Sequence, residues 1–405
     1  MDANAIGLSR FQLIALLTSM IAVGGVATNI YVPTLPAIAV DFDTSAAKVQ
    51  LTLTAYFAGV ALAQLIYGPL ADRYGRRPVL FVGLFLFLIA SGACAIAPTI
   101  DTLIVARFFQ AAGACVGQVI GRAVVRDLFD RSETARAMAN ITFAMAVAPA
   151  AAPVLGAYVH LWAGWRMNFA VVAVFALIVA ITAYRVLPET LPKRAAGATS
   201  GIGATASAYW SLFRSPAFMG YTLASTFIFA ALFAFVAAAP FIVINLLGET
   251  PQAYSLYSLI TVMGFAAGSF SAGRVTPRIG IDRTIILGLC VVVTASLVML
   301  GWAYWGALSL VSIIGPMAFV VLGMGLVFPN STAGALSIHP EIAGTASAML
   351  GFLQMFGAGC AVVLVGVIDD GSHLPMAEAM AGFAVLAALA FAMAWLKRPA
   401  HQSQN

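Results

Sequence analysis

The sequence predicts an all-α membrane protein of about twelve transmembrane helices in two six-helix halves. The first observation behind this is composition: 62% of the 405 residues are hydrophobic and only 9% are charged, whereas a soluble domain carries roughly 25% charged residues. The second is that the apolar residues form long blocks of about 20 residues, which cross a bilayer as helices. The third is that one polar stretch divides the chain near its middle.

The apolar blocks predict the spans in chain order. Backbone groups in hydrocarbon must be satisfied within their own segment, so each block is predicted to be a helix. The short alternating segments of a membrane barrel do not occur in the sequence. The predicted spans are 11–32, 48–70, 78–97, 102–124, 137–160, 165–187, 217–246, 253–274, 283–304, 306–336, 342–368 and 375–396.

The basic residues predict the orientation. With the N-terminus inside, only Lys48 and Arg166 of the 20 Lys and Arg residues fall outside, and Arg107 falls within a span. This positive-inside asymmetry predicts that both termini are cytoplasmic. It also accounts for the net charge of +5 without a nucleic-acid partner, because inner loops face anionic lipid headgroups.

The polar stretch PETLPKRAAGATSGIGATASAYWSLFRS at 188–215 predicts a cytoplasmic linker. It would separate an N-terminal half at 1–187 from a C-terminal half at 216–405. The loops after spans two and eight support a duplication, because both place two glycines and an arginine at the same spacing. These residues are Gly68, Arg73 and Gly75 in the first half and Gly273, Arg278 and Gly280 in the second.

The loop GPLADRYGRR at 68–77 is the first functional candidate. Its glycines permit a tight turn and close backbone approach. Asp72 can pair with a neighbouring arginine or face the positive end of a helix. The alternative is an ordinary positive-inside loop with incidental glycines. The residues of interest are Gly68, Asp72, Arg73, Gly75, Arg76 and Arg77.

Span four carries a polar face, which includes Arg107, Gln110 and Arg122 at helical spacing. A charge at the depth of Arg107 is costly and normally faces a wet cavity or a partner. The alternative is that Arg107 snorkels outward or binds neighbouring carbonyls. At the cytoplasmic end of the same span, Arg126 and Asp127 form either a simple ion pair or a gate.

Span five contains APAAAPVLGA at 148–157. Pro149 and Pro153 with Gly156 predict a thin helix that bends readily. Small residues also permit close packing, and packing alone is the alternative explanation.

The loop GPLADRYGRR resembles the signature loop of the major facilitator superfamily, and the chain more closely resembles its Bcr/CflA branch of multidrug exporters. The resemblance extends over nearly the whole chain. It implies the major facilitator fold and a secondary active transporter that exports lipophilic small molecules across the bacterial inner membrane by alternating access, through proton-coupled antiport. The supporting segments are NIYVPTLPAIA (29–39), RFFQAAGACVGQVIGRAVVRDLF (107–129), APAAAPVLGA (148–157), GWR (164–166), PETL (188–191), VFPNSTAGAL (327–336) and AGTASAMLGFLQMFGA (343–358).

The resemblance also implies roles for residues. The signature loop would be a conformational latch, Arg107 and Gln110 would take part in substrate and proton movements, and the span-five motif would mark an antiporter. A cavity with few polar groups among many apolar ones suits flexible recognition. Its predicted residues are Asn29, Tyr31, Tyr56, Gln64, Arg107, Gln110, Phe235, Asn330 and Gln354.

The chain departs from the family in span one. The family usually carries an aspartate where this chain has Asn29, ahead of Tyr31 and Pro33. An amide cannot titrate, so we expect weaker proton dependence than in relatives that carry the acid. The candidate replacements are Asp41, Asp43, Asp101 and Asp127.

Other functional classes are disfavoured. A membrane enzyme would need clustered ligands or a nucleophile–base pair, which the sequence does not show. Within transport, the alternatives are an exporter of a cellular metabolite or short peptide, or an uncoupled facilitator. The expected partners are a small-molecule substrate, protons and lipid; we expect a monomer with no cofactor, metal or nucleic acid.

Overall fold

The computed structural model describes residues 10–128, 151–191, 202–306 and 308–396. These residues are nearly all helical, and no strand occurs among them. Eleven helical segments of this part are long and apolar enough to cross a membrane, and a shorter apolar helix lies at Ala151–Ala163. The predicted all-α membrane fold is therefore confirmed. The fifth predicted span, 137–160, lies partly outside the described residues.

The chain divides into two compact units, Met1–Thr199 and Ser200–Asn405. In the first unit, α5 packs against α1, α3 and α4, and α7 packs against α4 and α1. The helix α5 is thus the centre of this unit. Its helices are α1 (Arg10–Asn29), α2 (Leu35–Asp41), α3 (Ala46–Tyr74), α4 (Arg76–Ala95), α5 (Ile100–Leu128), α6 (Ala151–Ala163) and α7 (Arg166–Val186).

In the second unit, α9 packs against α12, α13 and α14, while α12 also packs against α10 and α11. A π-helix at Phe241–Leu246 continues α9, and a 3-10 turn at Pro340–Ile342 precedes α13. The helices are α8 (Ile202–Phe213), α9 (Pro216–Pro240), α10 (Pro251–Ile279), α11 (Ile281–Tyr304), α12 (Leu310–Ile338), α13 (Ala343–Ile368) and α14 (Leu374–Leu396).

The helix α8 lies within the predicted linker, 188–215, where the sequence did not indicate a helix. It packs against α9 and α13, so this part of the segment belongs to the second unit. The boundaries of the two predicted halves stay a prediction.

Span one is broken rather than continuous. The helix α1 ends at Asn29, a 3-10 turn follows at Val32–Thr34, and α2 continues the span to Asp41. Pro33 and Pro36 sit at the starts of the two segments that follow the break. Proline has no N–H to donate, so it suits a helix start and interrupts a longer helix. The break leaves carbonyls in the last turn of α1 without intrahelical partners.

The helix α6 closes against this break through Gly156. A Cβ atom at Gly156 would lie 1.6 Å from the carbonyl oxygen of Ile30, so the position accepts no side chain. Pro153 lies buried on the same helix, whereas Pro149 lies outside the described residues. The predicted close packing of the span-five motif therefore falls at the break in span one.

Candidate functional site

Arg107 on α5 is completely buried and lies beside the broken end of α1. Its Nη1 donates to the carbonyl oxygen of Ala27 at 3.1 Å and also to Oε1 of Gln110. Ala27 lies in the last turn of α1, where carbonyls have no intrahelical partner. Arg107 therefore caps the end of α1, where the helix dipole favours a positive charge.

Aromatic rings surround the guanidinium group. The rings of Tyr31 and Tyr56 each have their centroids 4.2 Å from Arg107 Cζ, and that of Phe169 lies at 5.7 Å. Such cation–π contacts partly replace hydration of a buried charge. The two tyrosines are themselves held in place. The Tyr31 hydroxyl shares a hydrogen bond of 3.1 Å with Thr52, and the Tyr56 hydroxyl donates to a carbonyl of α1 at 2.9 Å.

Gln110 positions Arg107 rather than presenting an open amide. Its Oε1 accepts from Arg107, and its Nε2 donates to Ser91 Oγ at 2.8 Å. Ser91 Oγ in turn donates to the carbonyl oxygen of Phe87 at 2.7 Å. The side chains of Arg107, Gln110 and Ser91 are all buried, so this chain of hydrogen bonds fixes the guanidinium group relative to α4.

One side of Arg107 keeps unused donors. Its Nε and Nη2 are buried and have no hydrogen-bond partner among the described residues. A buried polar group without a partner costs about 1–3 kcal/mol, and more when it is charged. We call the N–H groups of Nε and Nη2 the free edge of Arg107. The site thus holds a cation whose two remaining donor nitrogens can bind a further acceptor group.

Asn29 and Gln64 are the other cavity residues that the sequence predicts in the first unit. Asn29 is half-buried, and its Nδ2 donates to the carbonyl oxygen of Gly25 at 2.8 Å. Gln64 lies two helical turns beyond Tyr56 on α3, about 12 Å along the axis. The structure therefore brings together Tyr31, Tyr56, Arg107 and Gln110, but not Gln64.

The three cavity residues predicted in the second unit are all buried. Asn330 accepts from Thr276 Oγ1 at 3.0 Å and donates to a carbonyl of its own helix at 2.8 Å. Gln354 donates to Ser225 Oγ at 3.2 Å, and Phe235 lies on α9. The two amides therefore join α12 to α10 and α13 to α9 within this unit.

A charge network surrounds Arg76 in the predicted signature loop. Arg76 Nη1 lies 2.7 Å from Asp72 Oδ1, and Arg76 Nε lies 3.3 Å from Asp127 Oδ2. The side chain of Thr190 donates to the same oxygen of Asp127 at 3.3 Å. Arg76 thus joins the end of α3 to the end of α5, and Asp127 pairs with Arg76. The side chain of Arg126 lies outside the description.

Glu189 caps the start of α4. Its carboxylate accepts from the backbone N–H groups of Arg76 at 2.9 Å and Arg77 at 3.1 Å. Burial raises the pKa of Glu189, but backbone hydrogen bonds from Leu191, Arg76 and Arg77 outweigh burial and leave its pKa below the usual value. Glu189 is therefore an ionised cap at neutral pH.

Gly75 permits this contact. It adopts φ of +99° between α3 and α4, a conformation that L-residues with a side chain rarely adopt. A Cβ atom there would also lie 2.6 Å from Glu189 Oε2. Two independent constraints therefore require glycine at this position.

The other residues predicted in the signature loop and at the cytoplasmic end of span four are Arg77, Arg73, Gly68 and Arg122. Arg77 donates to the carbonyl oxygen of Tyr184 at 2.8 Å. Arg73 is exposed and lies 5.2 Å over the ring of Tyr74. No described atom lies within 4 Å of a Cβ built on Gly68. Arg122 is half-buried on α5.

The candidate proton carriers are mostly in ion pairs. Asp41 pairs with Arg166, and Asp101 lies 3.0 Å from Lys48. Asp127 pairs with Arg76, as described above. Each of these three carboxylates is thus held by a basic side chain in this structure.

Sequence reasoning missed Phe169 and Glu189. Phe169 follows the GWR segment at 164–166. It is an apolar residue within an apolar span, so the sequence does not distinguish it from ordinary packing residues. Glu189 belongs to PETL, at the start of the predicted linker. One feature of the sequence could have identified Glu189 as a cap. It is an acid directly after span six, on the predicted cytoplasmic side, where α4 also begins.

Comparison with known sequences places the chain in a family. The Major Facilitator Superfamily profile matches residues 17–362. The "Uncharacterized MFS-type transporter YdgK" of Bacillus subtilis (strain 168) is 34% identical, with 96% of each chain covered. "Multidrug resistance protein D" of Escherichia coli (strain K12) is 29% identical over 97% of this chain and 98% of the relative. A "Chloramphenicol resistance protein" of Pseudomonas aeruginosa is 30% identical over 86% and 80%.

Solved structures agree at the level of the fold. A D-xylose-proton symporter has a TM-score of 0.77 at 16% identity, with 97% of this chain and 98% of that chain covered. A bacterial homologue of the lysosomal transporter Spinster, in an inward-facing state, has a TM-score of 0.74 at 14% identity, with 96% and 97% covered. The sequence-based resemblance is thereby confirmed: the chain is a multi-pass membrane transporter that belongs to the major facilitator superfamily.

Proposed function

We propose that this transporter is a secondary active exporter of lipophilic small molecules, including drugs. The observation that carries the proposal is the buried, aromatic-walled Arg107 beside the break in span one. Discontinuous transmembrane helices commonly form the substrate sites of secondary transporters. The direction of transport is supported by relatives named for multidrug and chloramphenicol resistance, which match this chain over most of its length.

The network around Arg76 supports alternating access. It ties the ends of three elements with charges that are partly buried, so it can hold one conformation and release it when the ends move apart. We propose that Asp72, Arg76, Asp127 and Glu189 act together as the latch. Both termini would lie in the cytoplasm of a bacterium, with the chain working as a monomer in the inner membrane.

Proton antiport is the expected energy source, and Asn29 is the reason to expect weak coupling. The Asn29 amide donates to the carbonyl oxygen of Gly25. An aspartate in its place would need to carry a proton to keep that bond. We therefore expect Asn29→Asp to increase the dependence of flux on a pH gradient in proteoliposomes. Complete collapse of wild-type flux without the gradient would mean that another carboxylate carries the proton.

A susceptibility screen tests export directly. A drug-sensitive bacterial strain expressing the wild type is compared with strains carrying the empty vector or Arg107→Ala, across drugs of different charge. We expect higher tolerance and lower drug accumulation with the wild type alone. Membrane levels of both proteins are measured by immunoblot. Equal susceptibility of wild type and vector for every drug would contradict the proposal.

A further inference from the structure

We propose that the free edge of Arg107 binds a planar oxyanion, so that the transported molecules include lipophilic carboxylates. This inference rests on the proposed export function and names a substrate class for the same site. The juxtaposition behind it is a buried two-donor edge next to the aromatic rings of Tyr31, Tyr56 and Phe169.

The covalent geometry of arginine sets the shape of the ligand. The Nε–H and one Nη2–H of a guanidinium group point the same way in its plane, and they match the two oxygens of a carboxylate. Nη1 is already used by Ala27 and Gln110. The side that remains is therefore the bidentate one, which a lysine cannot reproduce.

The charge balance sets the sign of the ligand. Arg107 binds a carbonyl oxygen and an amide oxygen and contacts aromatic rings, all of which are neutral. In the same unit, Arg76 and Arg166 each pair with a carboxylate. Arg107 alone of these three lacks a counter-charge among the described residues. A carboxylate would supply that charge, whereas an ammonium group would be repelled.

A ligand reaches the free edge only when the break in span one moves, because Ile30, Tyr31 and Val32 are buried. Tyr31 lies in the non-helical stretch between α1 and the 3-10 turn, so its ring is carried by backbone outside a regular helix. Irregular backbone at membrane depth is tolerated where it is buried in protein or lines a cavity, and in this structure it is buried. A shift of this stretch would expose Arg107, and the apolar body of the ligand would then lie against the displaced rings.

A series of three ligands of one shape tests the charge of the site. Equilibrium binding to the detergent-purified wild type is measured for 2-naphthoate, 2-naphthamide and 2-naphthylmethylammonium. We expect the carboxylate to bind roughly tenfold tighter than the amide, because charged hydrogen bonds are stronger than neutral ones. The ammonium should show no measurable binding. An ammonium that binds as tightly as the carboxylate would overturn the proposal.

The variant Arg107→Lys separates the shape of the donor from its charge. It keeps the cation and removes the bidentate edge, so we expect roughly tenfold weaker binding of 2-naphthoate and a smaller loss for 2-naphthamide, which offers one oxygen instead of two. Arg166→Lys is the matched control, since Arg166 is already paired with Asp41, and should leave both affinities unchanged. Undiminished 2-naphthoate binding by Arg107→Lys would contradict the proposal. If gel filtration shows that this variant is misfolded, the wild-type ligand series decides.

The binding measurements are independent of the export assay. Arg107-dependent binding of 2-naphthoate without drug tolerance in the expressing strain would retain the carboxylate site and refute export of the tested drugs. Drug tolerance of the expressing strain, combined with equal binding of the three naphthyl ligands, would support export. It would refute the carboxylate site.

Discussion

The loops after α3 and after α10 have the same backbone turn in different chemical surroundings. Gly75 and Gly280 both adopt positive φ, at +99° and +85°, and each directly separates two long helices. Each glycine N–H donates to the carbonyl oxygen four residues earlier, at 3.2 Å and 2.8 Å. This agreement supports the duplication that the spacing of the two loops predicted.

The surroundings of the two turns differ. A Cβ on Gly75 would meet Glu189, whereas no described atom lies within 4 Å of one on Gly280. Arg76 follows the first turn and pairs with two carboxylates, but Ile281 follows the second. In the second unit, Asp282 instead accepts from the Tyr221 hydroxyl at 2.6 Å. The same glycine turn therefore occurs with a carboxylate against the Cβ position in the first unit and without one in the second.

The largest effect on stability is expected from substituting each of the two glycines. Both Gly75→Ala and Gly280→Ala force a side chain into an extended backbone conformation with positive φ that is essentially restricted to glycine, which costs about 1–3 kcal/mol. Only Gly75→Ala also displaces Glu189. We expect a clearly larger fall in the melting temperature in detergent for Gly75→Ala. Equal falls would show that the Glu189 contact contributes nothing to stability.

The next effect is expected from Asp127→Asn. The side chains of Arg76 and Asp127 are only 11% and 16% exposed, and Arg76 keeps Asp72 as a partner, so removing the Asp127 charge should destabilise the folded protein by about 1–3 kcal/mol. Asp282→Asn is the comparison variant in the second unit, where the Asp282 carboxylate accepts from the Tyr221 hydroxyl. Thermal melts of both variants check this. A larger loss for Asp282→Asn would reverse the comparison.

Glu189→Gln should act in a pH-dependent way. The lowered pKa of Glu189 means that its carboxylate stabilises the fold above the usual glutamate pKa, about 4.3, and that this stabilisation disappears as the pH falls through the lowered value. We expect wild type and variant to differ in melting temperature at neutral pH and to converge in acid. A difference that is constant down to the most acidic melts would exclude ionisation of Glu189 as its cause.

The smallest change in stability is expected from Asp72→Asn. Asp72 is 62% exposed, and surface ion pairs contribute about 0–1 kcal/mol. Its effect should appear in the transport cycle, because the proposed latch loses a charge while the site around Arg107 is untouched. We expect reduced flux in proteoliposomes with ligand binding preserved in detergent. Parallel loss of binding and flux would argue against the latch.

The sequence predicted the helices well because the bilayer imposes their length and polarity. Span nine was predicted at 283–304 and is observed as α11, Ile281–Tyr304. Span one was predicted at 11–32 but reaches Asp41 through a break. Hydropathy does not detect such a break, since the residues around Pro33 are apolar on both sides.

The candidate site was predicted only in part. Helical spacing correctly placed Arg107 and Gln110 on one face of α5, but it could not supply their partners on other helices. Ala27 offers a carbonyl only because α1 ends two residues later. The contact between Glu189 and Arg76 joins positions 113 residues apart, which local pattern cannot pair.

The closeness of Arg107 to two tyrosine rings has a magnetic consequence. Protons held over an aromatic face are shielded by the ring current, and Arg107 Cζ lies 4.2 Å from both the Tyr31 and Tyr56 centroids. The side-chain resonances of Arg107 should therefore move upfield, away from those of arginines in loops. Isotope labelling of arginine would then provide a spectroscopic signal that changes when the tyrosines move away.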